Sequence, residues 1–292
     1  MSAFSLLELL VATAVFLALA LVLVSIAGSL SSFWQTGISH NERRSAALAA
    51  FSRMTRDLRF AAAPLNPNAT NVQLVINPAN VGTNYKLPQA AFWQAPVAGD
   101  RSHGDMALVG YFVQWVNETN GSVPKLCRLL IDSTNFQSTK PSDWVDDSLI
   151  ASYASATRAS GYEGHLAENI LGIWMQPLDQ SRRQIVADAT NGVFPNGQFD
   201  STRGYQAALT NASGTLVTNT FRSALPASVE VAVVAVDART ARRLTGAANE
   251  KPGGRGTNLW NDVNSFYTNL PPGIKQGARI YSTIIDLHNA PR

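Results

Sequence analysis

The stretch that decides the fold is residues 4–27, which read FSLLELLVATAVFLALALVLVSIA and carry one charge, at Glu8. As a helix with a rise of about 1.5 Å per residue, this stretch spans roughly 36 Å, which is enough to cross the hydrocarbon core of a bilayer. A cleavable secretory signal has a shorter apolar run, followed by a small residue at the cleavage site. Here the small residue, Ala3, precedes the run. The pattern predicts a membrane-crossing helix with an unusual order of signals.

The helix is expected to continue well beyond the membrane. All 14 prolines lie at Pro64 or later, and proline ends a helix because it lacks the amide donor. From residue 41 apolar residues recur at three- and four-residue spacing, which is typical of an amphipathic helix: Ala47, Phe51, Met54, Leu58 and Ala61. Arg53 and Arg56 are predicted to point away from this stripe, and Phe60 falls off it.

The remainder of the chain is predicted to be rich in β-strands, since short apolar runs alternate with Asn, Gly, Pro and Ser. We predict strands at Val72–Ile76, Met106–Val116, Lys125–Asp132, Ile170–Pro177, Ala227–Val236 and Arg279–Leu287. Asn117–Pro124 is predicted to be a hairpin loop, and short helices are expected at Ser142–Tyr153 and Ala238–Leu244. Two polar stretches, about 180–222 and 246–277, lack periodicity and are predicted to be long surface loops.

The expected fold class is α+β. Its parts are a leader remnant (1–3), a transmembrane or filament-core helix (4–27), an amphipathic continuation (28–63) and an extracytoplasmic β-rich domain (64–292). The second half of the long helix is expected to pack on an antiparallel β-sheet that carries long loops.

Composition excludes several classes of protein. Of 292 residues, 46% are hydrophobic and 15% are charged, so the chain is not disordered. The net charge is +3 and the basic residues are dispersed, apart from a patch between Arg43 and Arg59, so no nucleic-acid partner is expected. The single cysteine, Cys127, has no partner for an internal disulfide and is predicted to be a small buried residue of a strand.

Motifs for enzyme catalysis are missing from the sequence, which predicts a protein that is not an enzyme. The four histidines are scattered, and neither HExxH nor GxSxG occurs. The segment Lys251–Gly256 is rich in glycine, but it lacks the phosphate-loop spacing and a following helix signal, so a mobile loop is predicted there.

Acidic residues suggest one metal hypothesis. Asp143, Asp146 and Asp147 carry oxygen ligands suited to calcium, as do Asp100 and Asp105. Neither group has a recognisable ligand spacing. We therefore predict no metal and no cofactor, with calcium as the alternative.

The segment Ala3–Ala12 resembles the class III signal of type IV pilins and type II secretion pseudopilins. In that signal a small residue, here Ala3, precedes the cleavage site, a phenylalanine, here Phe4, follows it, and a glutamate, here Glu8, is the fifth residue after it. The resemblance implies a pilin-like fold, cleavage between Ala3 and Phe4 by a prepilin peptidase, and N-methylation of Phe4. It also implies filament assembly through Glu8. The partners it implies are other pseudopilins or minor pilins, an inner-membrane assembly platform and membrane lipid.

Glu8 has a physical reason to seek a partner. A carboxylate inside a bilayer costs a few kcal/mol near the centre, so it is normally paired. In pilin-like filaments the partner is the α-amine of the mature phenylalanine of a neighbouring subunit. The alternative is that Glu8 lies near the helix end and reaches the membrane surface by snorkelling.

Later segments are similar to those of J-type minor pseudopilins. They comprise Arg53–Arg59, Leu225–Asp237 and Tyr281–Asn289, with His288 where that family often has arginine. Val236–Leu244 is also similar to Verru_Chthon-cassette pseudopilin-like proteins.

The side of the membrane on which the domain lies is indicated by two signals that disagree. The leader Met1-Ser2-Ala3 has no Lys or Arg, whereas Arg43 and Arg44 follow the apolar run. The positive-inside rule alone would place the β-rich domain in the cytoplasm. The pilin-like motif implies the opposite, an inner-membrane, single-pass protein with a periplasmic domain, and we expect the true start to lie upstream or the chain to be trimmed.

The leading interpretation is a minor pseudopilin of a type II secretion-like apparatus. One alternative is a minor pilin of a type IV pilus or DNA-uptake system. Another is a membrane-anchored module whose β-rich domain binds a polysaccharide or surface ligand by stacking of tryptophans, with the candidates Trp93, Trp115, Trp144, Trp174 and Trp260. A tethered hydrolase has no motif to support it.

Overall fold

A computed structural model describes residues 6–62, 74–78, 81–82, 85–96, 106–118, 121–132, 162–189, 192–194, 197–210, 213–256 and 258–290. The chain divides into two compact units, Met1–Glu42 and Arg43–Arg292. Helix α1 (Leu6–Arg59) begins in the first unit and ends in the second. A long apolar N-terminal helix followed by antiparallel sheets confirms the coarse α+β prediction.

The amphipathic half of α1 is confirmed by burial. Its apolar stripe, predicted from spacing alone, is buried at all five positions: Ala47, Phe51, Met54, Leu58 and Ala61. Phe51 is 7% exposed, whereas Phe60, which falls off the stripe, is 47% exposed. Arg56 is exposed and Arg53 is half-buried. Helical periodicity therefore locates the face of α1 that contributes to the core.

Helix α1 ends at Arg59, so the prediction that it reaches residue 63 is wrong. The amide of Ala61 donates to the Leu58 carbonyl at 3.0 Å in a tighter turn. The amide of Ala62 then donates to the Gln94 carbonyl at 2.8 Å. A neighbouring strand thus binds the backbone at Ala62, before Pro64 is reached, and the chain has already left the helix there.

The larger sheet contains six strands: β1 (Leu74–Ile76), β2 (Ala91–Pro96), β3 (Met106–Glu118), β4 (Gly121–Asp132), β5 (Tyr162–Glu168) and β7 (Phe199–Asp200). Their spatial order is β5-β4-β3-β2-β1-β7, and all neighbouring strands are antiparallel. In the β3–β4 hairpin Glu118 lies opposite Gly121, so the predicted loop Asn117–Pro124 is too long. Both strands extend into it by backbone pairing.

The smaller sheet has three antiparallel strands in the order β11-β10-β6: β6 (Ile170–Leu178), β10 (Ser228–Val236) and β11 (Ala278–Asp286). Strands β8 (Tyr205–Thr210) and β9 (Leu216–Phe221) form a separate hairpin. After β10 come α2 (Ala238–Ala241), a 3-10 turn (Ala248–Glu250), α3 (Leu259–Asn269) and α4 (Pro272–Lys275). Helix α2 is shorter than the predicted Ala238–Leu244.

Strand β10 has two buried faces. Val229, Val231 and Val233 join the core that contains the α1 stripe. Ala232 and Val234 join a second core, beneath α3 and α4. Because successive side chains of a strand point to opposite faces, a strand buried on both sides needs a continuous apolar run. The sequence Val-Glu-Val-Ala-Val-Val-Ala-Val nearly satisfies this requirement.

The two predicted surface loops, 180–222 and 246–277, are corrected by the structure, which has strands β7 to β9 in the first and helices α3 and α4 in the second. In the first, Tyr205 is fully buried and its ring stacks on Phe221, with centroids 5.0 Å apart. In the second, the Asn258 side chain caps α3 by accepting from the Asn261 amide at 3.0 Å. Strands β2 and β5 were also not predicted. The predicted helix Ser142–Tyr153 lies outside the described residues.

Candidate functional site

The first half of α1 exposes its large apolar side chains. The exposed set runs along the helix as Leu6, Leu9, Leu10, Val11, Val15, Phe16, Leu17, Leu19, Leu21, Val22, Leu23, Val24, Ile26, Leu30, Phe33, Trp34 and Ile38. An apolar surface of this extent is characteristic of an interaction with lipid or with other protein chains. Within the described residues, α1 is the one helix long and apolar enough to cross a membrane.

Of the residues predicted from the pilin-like motif, the structure describes Glu8 alone. Glu8 belongs to α1, whereas Ala3 and Phe4 lie outside the described residues. The five aspartates of the calcium hypothesis, Asp100, Asp105, Asp143, Asp146 and Asp147, also lie outside them. Among the residues that the structure describes, no group of three or more His, Cys, Asp or Glu side chains is arranged to hold a metal ion.

Asp57 ties the end of α1 to the larger sheet. Its Oδ2 accepts hydrogen bonds from the Tyr111 hydroxyl and from Arg128 Nε, both at 2.6 Å. Its backbone carbonyl accepts from Trp93 Nε1 at 3.2 Å. The Trp93 and Tyr111 rings stack with centroids 5.3 Å apart. Burial, reinforced by the Asp57 charge, raises the pKa of Tyr111, so the hydroxyl stays protonated and keeps donating.

Arg43 connects the same helix to two residues at the end of the smaller sheet. Its Nη1 lies 2.8 Å from Asp237 Oδ2, in a pair with both side chains buried, and it also donates to the Gly277 carbonyl at 3.2 Å. Asp237 Oδ1 accepts from the Thr240 amide at 2.7 Å and thereby caps α2. In the sequence Arg43 belongs to a patch of basic residues, and in the structure its charge is paired within the domain.

The C-terminal segment closes on the end of α1. The amide of His288 donates to the Arg59 carbonyl at 3.0 Å, and Asn289 Nδ2 donates to the Ala61 carbonyl at 2.9 Å. The His288 ring stacks on Phe60 with centroids 5.4 Å apart. Helix ends leave carbonyls without intrahelical partners, and here a main-chain amide supplies one partner. The capping contact at position 288 is made by the backbone and therefore does not depend on the histidine side chain.

The glycine-rich segment Lys251–Gly256 is held in place by Arg255. Arg255 is buried, donates from Nη2 to Gln176 Oε1 at 2.7 Å and pairs with Asp262. The amide of Gly256 donates to Asp262 Oδ2 at 2.9 Å. The prediction that no helix follows is wrong, because α3 begins at Leu259. An adjoining cavity of about 280 Å³ is lined in part by Gly253, Gly254 and Asp262, and the Gly256 amide is already bonded to Asp262.

The tryptophans proposed for polysaccharide stacking mostly serve packing. Trp93 and Trp174 are buried in the two cores. Trp115 is half-buried, with Lys251 Nζ 5.3 Å from its ring centroid. Trp260 is 39% exposed and donates from Nε1 to Glu230 Oε1 at 3.0 Å. Trp144 lies outside the described residues. Of the four described candidates, Trp260 alone presents an exposed ring.

No protein-family model matches the chain, and no curated protein matches it.

Proposed function

We propose that the chain is a minor pseudopilin, a structural subunit of a type II secretion-like pseudopilus. The observation that carries the proposal is the division of α1 into two halves. Large apolar side chains are exposed from Leu9 to Ile38, whereas the stripe from Ala47 to Ala61 is buried. A simple membrane tether needs only the first half. A filament subunit needs both, because the helix that assembles must also hold the domain.

In this proposal the chain acts by assembly and performs no covalent chemistry after processing. A prepilin peptidase cleaves between Ala3 and Phe4, and Phe4 becomes N-methylated. Glu8 pairs with the α-amine of a neighbouring subunit, and two opposite charges in an apolar bundle reward the correct axial register. The partners are other pseudopilins and an inner-membrane assembly platform.

The ion pairs that Asp57 and Arg43 form with the domain fit the mechanical part of this role. A subunit displaced by an assembly motor must move its domain together with its helix. Asp57 binds the helix to the larger sheet and Arg43 binds it to the end of the smaller one. Contacts at two separated positions resist both sliding and rotation of the helix on the domain.

The pilin-like motif is the basis for proposing an extracytoplasmic domain. Arg43 and Arg44 follow the apolar run, and the positive-inside rule counts Lys and Arg near the ends of a membrane span, not net charge. The pairing of Arg43 with Asp237 in the folded domain therefore does not change that local signal, and the proposed side of the membrane rests on the motif.

Replacement of Glu8 tests the assembly role. We expect Glu8→Val to leave the thermal melt of the domain unchanged, because Glu8 lies in the first unit, outside the domain. We expect the variant to be lost from filament complexes crosslinked in cells, because the register-setting charge is gone. Thr13→Val, in the same helix, is the matched control and should crosslink like the unmodified chain. If Glu8→Val crosslinks normally, Glu8 only snorkels to the membrane surface.

A further inference from the structure

A second apolar stripe on α1 follows the membrane-crossing run. Leu30, Phe33, Trp34 and Ile38 are spaced so that they lie on one side of the helix, and all four are exposed. Phe33 is 78% exposed and Trp34 is 68% exposed. We call these four residues the Trp34 stripe. Unlike the stripe that begins at Ala47, it contributes nothing to the cores of the domain.

The residues around these positions are mostly polar and carry no charge, as in Ser29, Ser32 and Thr36. Three hydroxyls donate to carbonyls one turn earlier: Ser29 to Ser25 at 2.9 Å, Ser32 to Ser29 at 2.8 Å and Thr36 to Ser32 at 2.9 Å. Hydroxyls bonded in this way need no water, so this segment tolerates a poorly hydrated environment. From Leu9 to Asn41 the helix has no Asp, Glu, Lys or Arg.

Position along the helix matches the thickness of a membrane. Trp34 comes 26 residues after Glu8, which corresponds to about 39 Å along an α-helix. A bilayer with its headgroup layers is about 40–45 Å thick, around a hydrocarbon core of about 30 Å. If Glu8 lies at one membrane surface, Trp34 falls in the opposite headgroup layer.

We propose that the Trp34 stripe is an interfacial anchor that binds the headgroup layer of the membrane on the domain side. The stripe is continuous with the exposed apolar surface that begins at Leu6. Tryptophan favours this layer because its ring is apolar while its indole N–H seeks a polar partner. The anchor sets the depth of the helix before assembly. This inference rests on the membrane-anchored state in the proposed function.

Depth-dependent quenching of tryptophan fluorescence tests the anchor. The full chain is reconstituted into phosphatidylcholine vesicles whose acyl chains carry bromine either near the headgroup or near the bilayer centre. We expect shallow bromine to quench about twofold more than deep bromine, as for an interfacial indole. Trp34→Phe should remove most of the shallow quenching. Trp260→Phe, which removes an exposed tryptophan of the domain, should leave it unchanged.

Flotation of the vesicles tests the membrane-anchored state separately from the interfacial position of the Trp34 stripe. A chain that does not float with the vesicles overturns the membrane anchor itself, and the Trp34 stripe with it. A chain that floats but loses no quenching in Trp34→Phe overturns only the stripe inference, because a surface other than lipid then covers Trp34. Stronger quenching by deep bromine also overturns it, since Trp34 would then lie in the hydrocarbon core.

Discussion

A chain that begins near Gly28 is expected to fold cooperatively, whereas a chain that begins at Pro64 is expected not to fold. The shorter chain lacks the stripe residues Phe51, Met54 and Leu58, which are buried in the main core. Burying each contributes roughly 1.5–3 kcal/mol, so their sum is comparable with a typical total stability of about 5–15 kcal/mol. Thermal unfolding followed by circular dichroism measures the difference.

An intermediate truncation serves as the control. A chain that begins at Ser45 keeps the stripe but lacks Arg43, so Asp237 remains buried without its cation. We expect this chain to fold with lower stability than the Gly28 chain. Cooperative melting of the Pro64 chain at the same temperature would mean that α1 is only a tether. That result would favour a membrane-anchored binding module over a pseudopilin.

Asp57→Ala is expected to cost about 3–5 kcal/mol of unfolding free energy, the range for removing one partner of a buried ion pair. The pair joins Asp57 to Arg128, which is 4% exposed and lies 2.6 Å away. The Tyr111 hydroxyl loses its acceptor in the same substitution. Urea denaturation of the chain that begins near Gly28 measures the loss.

Two further substitutions make the Asp57 experiment specific. Arg56→Ala, at an exposed position of the same helix, is expected to change the unfolding free energy by less than about 0.5 kcal/mol. Asp57→Asn retains an acceptor but loses the charge, and it should therefore fall between Arg56→Ala and Asp57→Ala. If Asp57→Ala costs no more than about 1 kcal/mol, the value of an exposed pair, Asp57 does not hold the helix on the sheet.

The long helix and its buried stripe could be predicted from the sequence because both depend on local periodicity. Strand β10 could be predicted because a nearly continuous apolar run, broken at Glu230, suits a strand buried on two faces. Helix α3 was not predicted, because its main apolar residues are few and are separated by mostly polar ones. They are Leu259, Val263 and Phe266. The cap Asn258 followed by that spacing was the available signal. The β8–β9 hairpin was missed because β9 is largely exposed and polar.

The ion pairs of Asp57 and Arg43 could not be predicted, because the partners of these two residues are distant in the sequence. Asp57 meets Arg128 across 71 positions, and Arg43 meets Asp237 across 194. A lone aspartate among arginines on a helix is ordinarily a solvated residue. Only the pairing of α1 with the two sheets shows that these side chains are buried and matched. The motif at Ala3, Phe4 and Glu8 is the opposite case, because it is recognised from the sequence alone.

Mass spectrometry of the native N-terminal peptide tests the central claim most directly. The protein is extracted from membranes of its own cells and from matched cells that lack the prepilin peptidase. We predict a mature chain that begins at N-methylated Phe4 in the first sample and an uncleaved, unmethylated chain in the second. A peptide that still contains Ala3 joined to Phe4 in the peptidase-containing cells would contradict the pseudopilin account.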